Sequence, residues 1–558
     1  MTGSPQPPGN MDKEKRSYWI GFFLLVFPLA APALLYPGST VIFRVTQSFF
    51  ELLFVFYILF YYTRHHPRVM VSRSAFLLFL AWAAWAVLAT VFSDRMPVAM
   101  VRQWEIFCKC FFCFCLWFFL NQRDNRAGQV HALVVGGFCL ICFALAVFWF
   151  AVPDPAHYDW FNNPPHFSHI RHFGYYCTAG FILGFYFFFK ENQTPAVWLA
   201  VLIYFIVCWA FLFWSGGRGA VLTCVIGSGL LLFHARGRRL PILFILFFSA
   251  LAGFYLSSHF NVEHASLGGV KSVERTSKSF WSTRDILWAE AVKQVKDSLM
   301  FGLGPDAFRY FIRFRPSLSQ PHNSLVQFIL EWGIPGTLFF LAFYLNLVWI
   351  GVRNIFSGSQ GEAQGLRAVS AILVVSYLAF SLIDGLFYHA LPLTLTSFGV
   401  AVMLLRFDSD PDSDKTQRYV ALPLSAVRAG ALLLAGVLVL HASVYFYADG
   451  NTVPQPDSFQ AKMVRCFPSS TRGLENWIDH WGEDHPEAAI ETALIFARTS
   501  VNSAVFRERA AILYARQGEI ENAKIQAQMA VSETRSRDRY KRTRRLQQAG
   551  IPFEPASE

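Results

Sequence analysis

Runs of apolar residues long enough to cross a bilayer recur about thirteen times along this chain, taking ~20 residues as the length of a spanning helix. They centre near residues 27, 52, 84, 110, 141, 182, 204, 226, 248, 343, 377, 398 and 435. Their length and continuity predict helices. The polar connections between them are short, with one long exception at 257–322. Positive charge is distributed unevenly over these connections. If the N-terminus is cytoplasmic, the loops at 63–73, 121–128, 190–195, 234–239, 353–367 and 407–423 share its side. They carry Arg64, Arg68, Arg73, Arg123, Arg126, Lys190, Arg236, Arg238, Arg239, Arg353, Arg367, Lys415 and Arg418. The opposite short loops hold chiefly Arg95, Arg171 and Arg218. Lys and Arg concentrate on the cytoplasmic side of membrane proteins, so this asymmetry predicts the orientation. The long 257–322 loop then lies outside, as does everything after an odd last span.

The expected division is a cytoplasmic tail (1–17), a membrane domain (18–447) and an outer C-terminal domain (448–558). The first apolar run begins near Tyr18, after Lys13, Lys15 and Arg16. It lacks a small-residue cleavage site and reads as a retained helix. The C-terminal segment has a different character. Ala489 and Ala523 stand 34 positions apart, as do Ala493 and Ala527, and Tyr514, Gly518 and Ala530 fall at the packing positions of a tetratricopeptide unit. The fold expected is all-α: a polytopic bundle of 12 to 13 spans, a large outer loop and a tetratricopeptide-like helical tail. The tail suits contact with a protein partner or packing as a cap on the membrane domain. Its basic end, "TRSRDRYKRTRR" (534–545), reads as a solvated helix face.

Composition agrees: 54% of residues are hydrophobic, 15% charged and 59 are Phe, well below the ~25% charge of soluble domains. The net charge of +11 is absorbed by the loop asymmetry, so it carries no nucleic-acid signal. Four of the 10 Cys lie in "CKCFFCFC" (Cys108, Cys110, Cys113, Cys115). That stretch sits inside an apolar run with no His or carboxylate among the thiols, so it reads as small buried hydrophobes rather than a metal site. No disulfide framework is implied.

In so apolar a chain, polar clusters carry the functional information. All of them fall on the outer side. "NNPPHFSHIRHFGYY" holds His166, His169, Arg171 and His172; without a carboxylate or thiol it suits the mouth of an anion or sugar site better than a metal. "WSGGRGAVLT" puts Arg218 at a helix entrance behind Gly216 and Gly217, where backbone can approach a ligand and a guanidinium fork suits phosphate. "STRDILW" begins a loop helix capped by Ser282 or Thr283. It places Arg284 in the first turn, the wrong end for a cation unless an anion is near; Asp285 is the simplest partner. "GLGPDAF" ends that helix. "SLIDGLFYHALP" holds Asp384 and His389. Finally, "SLSQPHNSLVQFILEWGIPG" places His322 and Asn323 at a polar-to-apolar seam, with Glu331 one short helix later. Pro321 breaks the chain there and Asn323 suits a cap. The span itself is expected to begin only after Gly333.

The chain has no Gly-rich phosphate loop followed by Lys, so cytoplasmic nucleotide is not the expected energy source. An outer-face site must use a substrate already activated in the membrane, and a lipid-linked pyrophosphate meets that need. Its leaving group calls for Arg-type charge and its attacking hydroxyl for a base that works near neutral pH.

The order "SGGRGA", "STRDILW", "GLGPDAF", "PHNSLVQFILEWGIPG" resembles the bacterial O-antigen ligase and polymerase superfamily, which also contains protein O-oligosaccharyltransferases. The resemblance covers roughly 170–400. It implies a multi-pass inner-membrane glycosyltransferase with its active site facing the periplasm, taking a glycan from undecaprenyl pyrophosphate with inversion. It implies neither nucleotide sugar, cofactor nor required metal. By motif, His322 corresponds to the catalytic base and Arg218 and Arg284 to the pyrophosphate-binding pair. Gly217, Arg171, His172, Asn323, Asp384 and Glu331 are expected in support, Glu331 by positioning His322 or Asn323. Pro321 departs from the small residue common before His-Asn. The expected acceptor is lipid A-core, as in an O-antigen ligase. A protein acceptor, as in oligosaccharyltransferases with helical tails, is the alternative, and polymerisation of lipid-linked repeats a third. A lipid or solute transporter is the alternative from another class. It calls for charged residues near the bilayer midplane, whereas the polar clusters here stand at helix ends on one side.

Overall fold

The computed structural model describes residues 8–30, 40–64, 70–121, 126–161, 163–167, 169–191, 194–260, 262, 284–308, 320–356, 361–405, 419–421, 423–448, 453–466, 472–499, 503–534 and 536–552. Among the described residues, nine α-helices precede the outer loop: α1 (Pro8–Leu29), α2 (Thr40–Phe56), α3 (Arg73–Val91), α4 (Met96–Leu120), α5 (Arg126–Ala151), α6 (Ile170–Gly184), α7 (Pro195–Ser215), α8 (Arg218–His234) and α9 (Arg239–Ser257). The loop contributes α10 (Arg284–Val295). The bundle resumes with α11 (Ser324–Phe356), α12 (Glu362–Ser381), α13 (Ala390–Met403) and α14 (Leu424–Ala448). All thirteen expected centres fall inside helices of this series. Eight of those helices are long and apolar enough to cross a membrane, and α1, α8, α13 and α14 are shorter apolar helices. The protein is an all-α, multi-pass membrane protein. Among the described residues, the two short strands Met70–Ser72 and Tyr419–Ala421 pair antiparallel. They join two connections that the charge pattern assigns to the same side.

The core is built from aromatic side chains. Trp149, Trp160 and Trp214 pack with ring centroids 5.0 to 5.9 Å apart, and Phe181 meets both Phe205 and Trp209. Such contacts supply the packing energy that a bundle in lipid needs, because hydrocarbon provides no hydrophobic drive between helices. The four cysteines of "CKCFFCFC" lie on α4; Cys108 and Cys115 are fully buried and Cys113 faces the Ser397 carbonyl of α13.

One expectation needs correction. Charged groups do occur in the middle of the membrane helices. Glu51 of α2 and Lys109 of α4 form a buried ion pair at 2.6 Å. Gln47 donates to Glu51, and the Thr394 hydroxyl of α13 does likewise at 2.5 Å. Each charge is met by the other and by polar neighbours, which is what lets such a pair persist away from water.

Beyond the bundle follow α15 (Phe459–Cys466), α16 (Arg472–Asp484), α17 (Pro486–Thr499), α18 (Ser503–Arg516), α19 (Ile520–Ser532) and α20 (Ser536–Gln548). Ala489, Ala493, Ala523 and Ala527 are all fully buried, so the small residues at the 34-residue interval sit in helix interfaces. The basic tail is more than a solvated face: Arg542 is buried and its guanidinium donates to Glu508 Oε2 at 2.7 Å. Serine 282 and Thr283, expected to cap α10, lie outside the described residues.

Candidate active site

Three arginines occupy the first turn of three helices. Arg171 is the second residue of α6, Arg218 the first of α8 and Arg284 the first of α10. A helix N-terminus carries partial positive charge, so each position is unfavourable for a cation on its own. All three nevertheless line one cleft, together with Tyr175, Phe380, Asp384 and the Gly216–Ala220 backbone. Gly216 makes the abrupt turn from α7 into α8: it ends α7 with φ of +64°, a left-handed conformation natural only to glycine. The cleft therefore combines three guanidinium groups with three helix N-termini, the arrangement that binds an anion.

His322 stands at the rim, where the chain turns into α11. Its φ is +55°, unusual for a side-chain-bearing residue. Asn323 is the cap expected from sequence: its Oδ1 accepts from the amides of Leu325 at 2.9 Å and Val326 at 3.1 Å. Its Nδ2 reaches across to the Leu382 carbonyl at 3.0 Å, so the seam is fastened to the turn after α12. That turn presents Asp384, whose Oδ1 lies 2.6 Å from His322 Nδ1 and also accepts from the Gly385 amide at 2.8 Å. On the other flank the Trp288 indole of α10 donates to the Pro321 carbonyl at 2.8 Å.

The electrostatics follow from this contact. Burial pushes the Asp384 carboxyl up, but the hydrogen bond and charge of His322, with the charges of Arg171 and Arg284, outweigh it and hold Asp384 well below the ordinary carboxylate range. Asp384 is thus an anion, and it fixes the imidazole with Nδ1–H donating to it and Nε2 left for a reacting group. Asp285, the simplest partner proposed for Arg284, is exposed; the carboxylate that shares the cleft with Arg284 is Asp384. His172 packs against His389 with ring centroids 3.8 Å apart, and Gln320 Nε2 meets His389 Nε2 at 3.2 Å. Burial, then the neighbouring His172, holds His389 well below its ordinary value, so it is a neutral wall of the site.

Glu331 does not touch His322 or Asn323. It accepts from Gln327 at 3.0 Å, and the charges it feels are those of Arg102 and of Asp306 in the "GLGPD" turn, so it faces that turn rather than the base. The two motifs interlock. Leu303 N donates to Leu330 O at 2.7 Å and Ile334 N to Leu299 O at 2.8 Å. Gly333 has φ +67° and breaks α11 into a short 324–332 segment and the longer helix beyond it, as expected for a span that begins after Gly333.

Below lies a set of charges that sequence reasoning missed. Arg44 of α2 reaches Glu105 of α4 at 3.1 Å and Asp306 at 3.4 Å. Arg102 of α4 reaches Glu105 at 3.0 Å and donates to the Phe387 carbonyl at 3.0 Å. Arg44 also lies 4.7 Å from the centre of the Tyr388 ring. These residues tie the 384–389 turn and the "GLGPD" turn to the N-terminal helices. The available signal was ionisable residues within apolar runs.

Residues 200–341 match the family model described as O-antigen ligase. The chain carries an O-antigen ligase family domain. This O-antigen ligase segment contains Arg218, Arg284, His322, Asn323 and Glu331. Arg171, His172 and Asp384 come from outside it and are brought to it by the bundle. No curated protein matches the chain. The match over this segment indicates a glycosyltransferase-like membrane enzyme. Its donor is a lipid-linked glycan in general terms.

Proposed function

We propose that this protein transfers a glycan from undecaprenyl pyrophosphate to an acceptor hydroxyl at the periplasmic face of the inner membrane. The observation that carries the reading is the His322–Asp384 pair at 2.6 Å on the rim of a cleft lined by Arg171, Arg218 and Arg284. His322 Nε2 takes the proton from the acceptor hydroxyl, and Asp384 stabilises the imidazolium that forms. The hydroxyl oxygen attacks the anomeric carbon as its bond to the pyrophosphate oxygen breaks on the opposite face, inverting the centre. The pyrophosphate leaves with its charge met by the three guanidiniums, whose donor forks suit phosphate oxygens.

Lipid A-core is the acceptor this reading favours, which makes the protein an O-antigen ligase. The outer helical domain favours a second reading, in which that domain recruits an exported protein acceptor. A chromosomal deletion examined for both lipopolysaccharide banding and glycosylated exported proteins separates the two. Loss of banding alone supports the ligase, loss of protein glycosylation alone supports the oligosaccharyltransferase, and loss of neither sinks both. Within either reading, His322→Ala abolishes transfer in a reconstituted assay while protein level and membrane insertion stay normal. Wild-type turnover by that variant would remove His322 from the role of base.

A further inference from the structure

Two neighbouring residues of α4 reach the two halves of the His322–Asp384 pair. Arg102 Nη2 donates to the Phe387 carbonyl at 3.0 Å, in the turn that begins with Asp384. Gln103 Oε1 accepts from the Trp332 indole at 3.0 Å, at the end of the 324–332 segment that His322 precedes. The turn is closely tied. The Asp384 carboxylate accepts from the Gly385 amide at 2.8 Å, and Tyr388 N donates to Gly385 O at 3.0 Å. A shift at Phe387 is therefore passed to Asp384. Arg44 and Arg102 stand over the Tyr388 ring, 4.7 and 5.2 Å from its centre. Glu105 aims Arg102 by accepting from its Nη1 at 3.0 Å. On the His322 side, Gln320 packs against Gly385, where an added Cβ would overlap its amide. Arg44, Arg102 and Glu105 are only 2–3% exposed, and none of the three lines the arginine cleft. Stability alone does not account for such a cluster, because well-packed apolar residues often serve as well or better. Ionisable groups kept within membrane helices mark functional positions.

We propose that Arg102 is a positioning residue for the transfer reaction: it sets the Phe387 carbonyl, and through it Asp384, against the His322 segment that Gln103 fixes from the same helix. The proposal rests on the functional reading given above and adds the residue that holds base and orienting carboxylate in register. The two terminal nitrogens of Arg102 serve two partners at once, Glu105 and the Phe387 carbonyl. A lysine ammonium keeps the charge but lacks that fork. An Asp384 displaced by about 1 Å no longer orients the imidazole, and misplacement of that size costs up to about 100-fold in rate. A purely structural ion cluster is the alternative that the test must reject.

The test uses the full chain in nanodiscs with a polyprenyl-diphosphate-linked glycan, and activity is normalised to folded protein. Arg102→Lys should lower kcat by about 10- to 100-fold, with KM for the donor within about twofold of wild type. Combined with Asp384→Asn it should cost nothing further, because a residue that acts through Asp384 has nothing left to position. Trp104→Phe is the control: it removes another buried hydrogen bond of α4, from the indole to the Leu434 carbonyl at 2.6 Å, and should leave kcat unchanged. Unchanged kcat in Arg102→Lys, losses that multiply in the double variant, or an equal loss in Trp104→Phe would each overturn the proposal. Amide exchange over 385–389, followed by mass spectrometry, should rise about tenfold in Arg102→Lys and not in Trp104→Phe; unchanged exchange overturns the proposal independently of activity. Should Arg102→Lys fail to insert, Tyr388→Leu removes the ring that both guanidiniums stand over, leaves the Arg102–Glu105 pair in place and carries the same expectations. Wild-type turnover by Asp384→Asn overturns the functional reading, and the catalytic part of Arg102 with it, whereas an impaired Asp384→Asn beside a fully active Arg102→Lys overturns this proposal alone.

Discussion

Asp384→Asn keeps the shape of the turn but removes the charge that orients and stabilises the His322 imidazole. Loss of such an orienting carboxylate should lower kcat by about 100-fold or more, with KM for the donor little changed; steady-state kinetics on the reconstituted protein measure this. Asp384 also makes a prediction about pH. Its folded value is held below the ordinary one, so it contributes stability that is complete above the unfolded value of about 4 and is lost as pH falls through the folded value. Melting of the wild type in detergent should therefore fall on acidification below about pH 4, with a shallower fall in Asp384→Asn. At the arginines, Arg218→Lys and Arg284→Lys keep the charge but lose the planar fork. Each should reduce kcat/KM by about tenfold or more, and full activity in the Lys variants would reduce both residues to generic positive charge.

At the scale of elements, the site depends on a helix broken at the right place. Gly333 has φ +67°, and an added Cβ would stand 2.3 Å from the Met300 carbonyl oxygen. Gly333→Ala therefore combines backbone strain of about 1–3 kcal/mol with a clash against backbone. It should lower the melting temperature and displace the 324–332 segment, with loss of transfer beyond the loss of folded protein; activity normalised to correctly folded material checks the second part. This break was legible before the structure, because Gly333 and Pro335 interrupt an apolar run whose first turns carry Asn323, Gln327 and Glu331. The role of Glu331 was not. Spacing along a helix places it two turns from His322, but only the path of the "GLGPD" loop decides what its carboxylate meets.

For the whole molecule, the bundle gathers the N-terminal ends of α6, α8 and α10 with the turn after α12 at one end of the protein. That is the arrangement the loop charges predict if all of them face outward. A phosphatase fused after Glu558 should then be active and a cytoplasmic reporter at the same position inactive; the reverse result would remove the odd number of spans and with it the outer placement of the C-terminal helices.

The amino-acid sequence alone determined the all-helical membrane class, because length and continuity of apolar runs suffice for that. It also singled out His322, Arg218 and Arg284 as candidates, because polar clusters and glycine turns at helix ends stand out in an apolar chain and their motifs resemble those of a known family. Asn323 as cap followed from local chemistry. What only tertiary structure decided is which polar groups meet. Asp384 is 62 positions from His322 and Arg102 is 285 from the Phe387 carbonyl it anchors. Such pairings depend on how helices pack and turn against one another, and no local period or propensity along the chain encodes them.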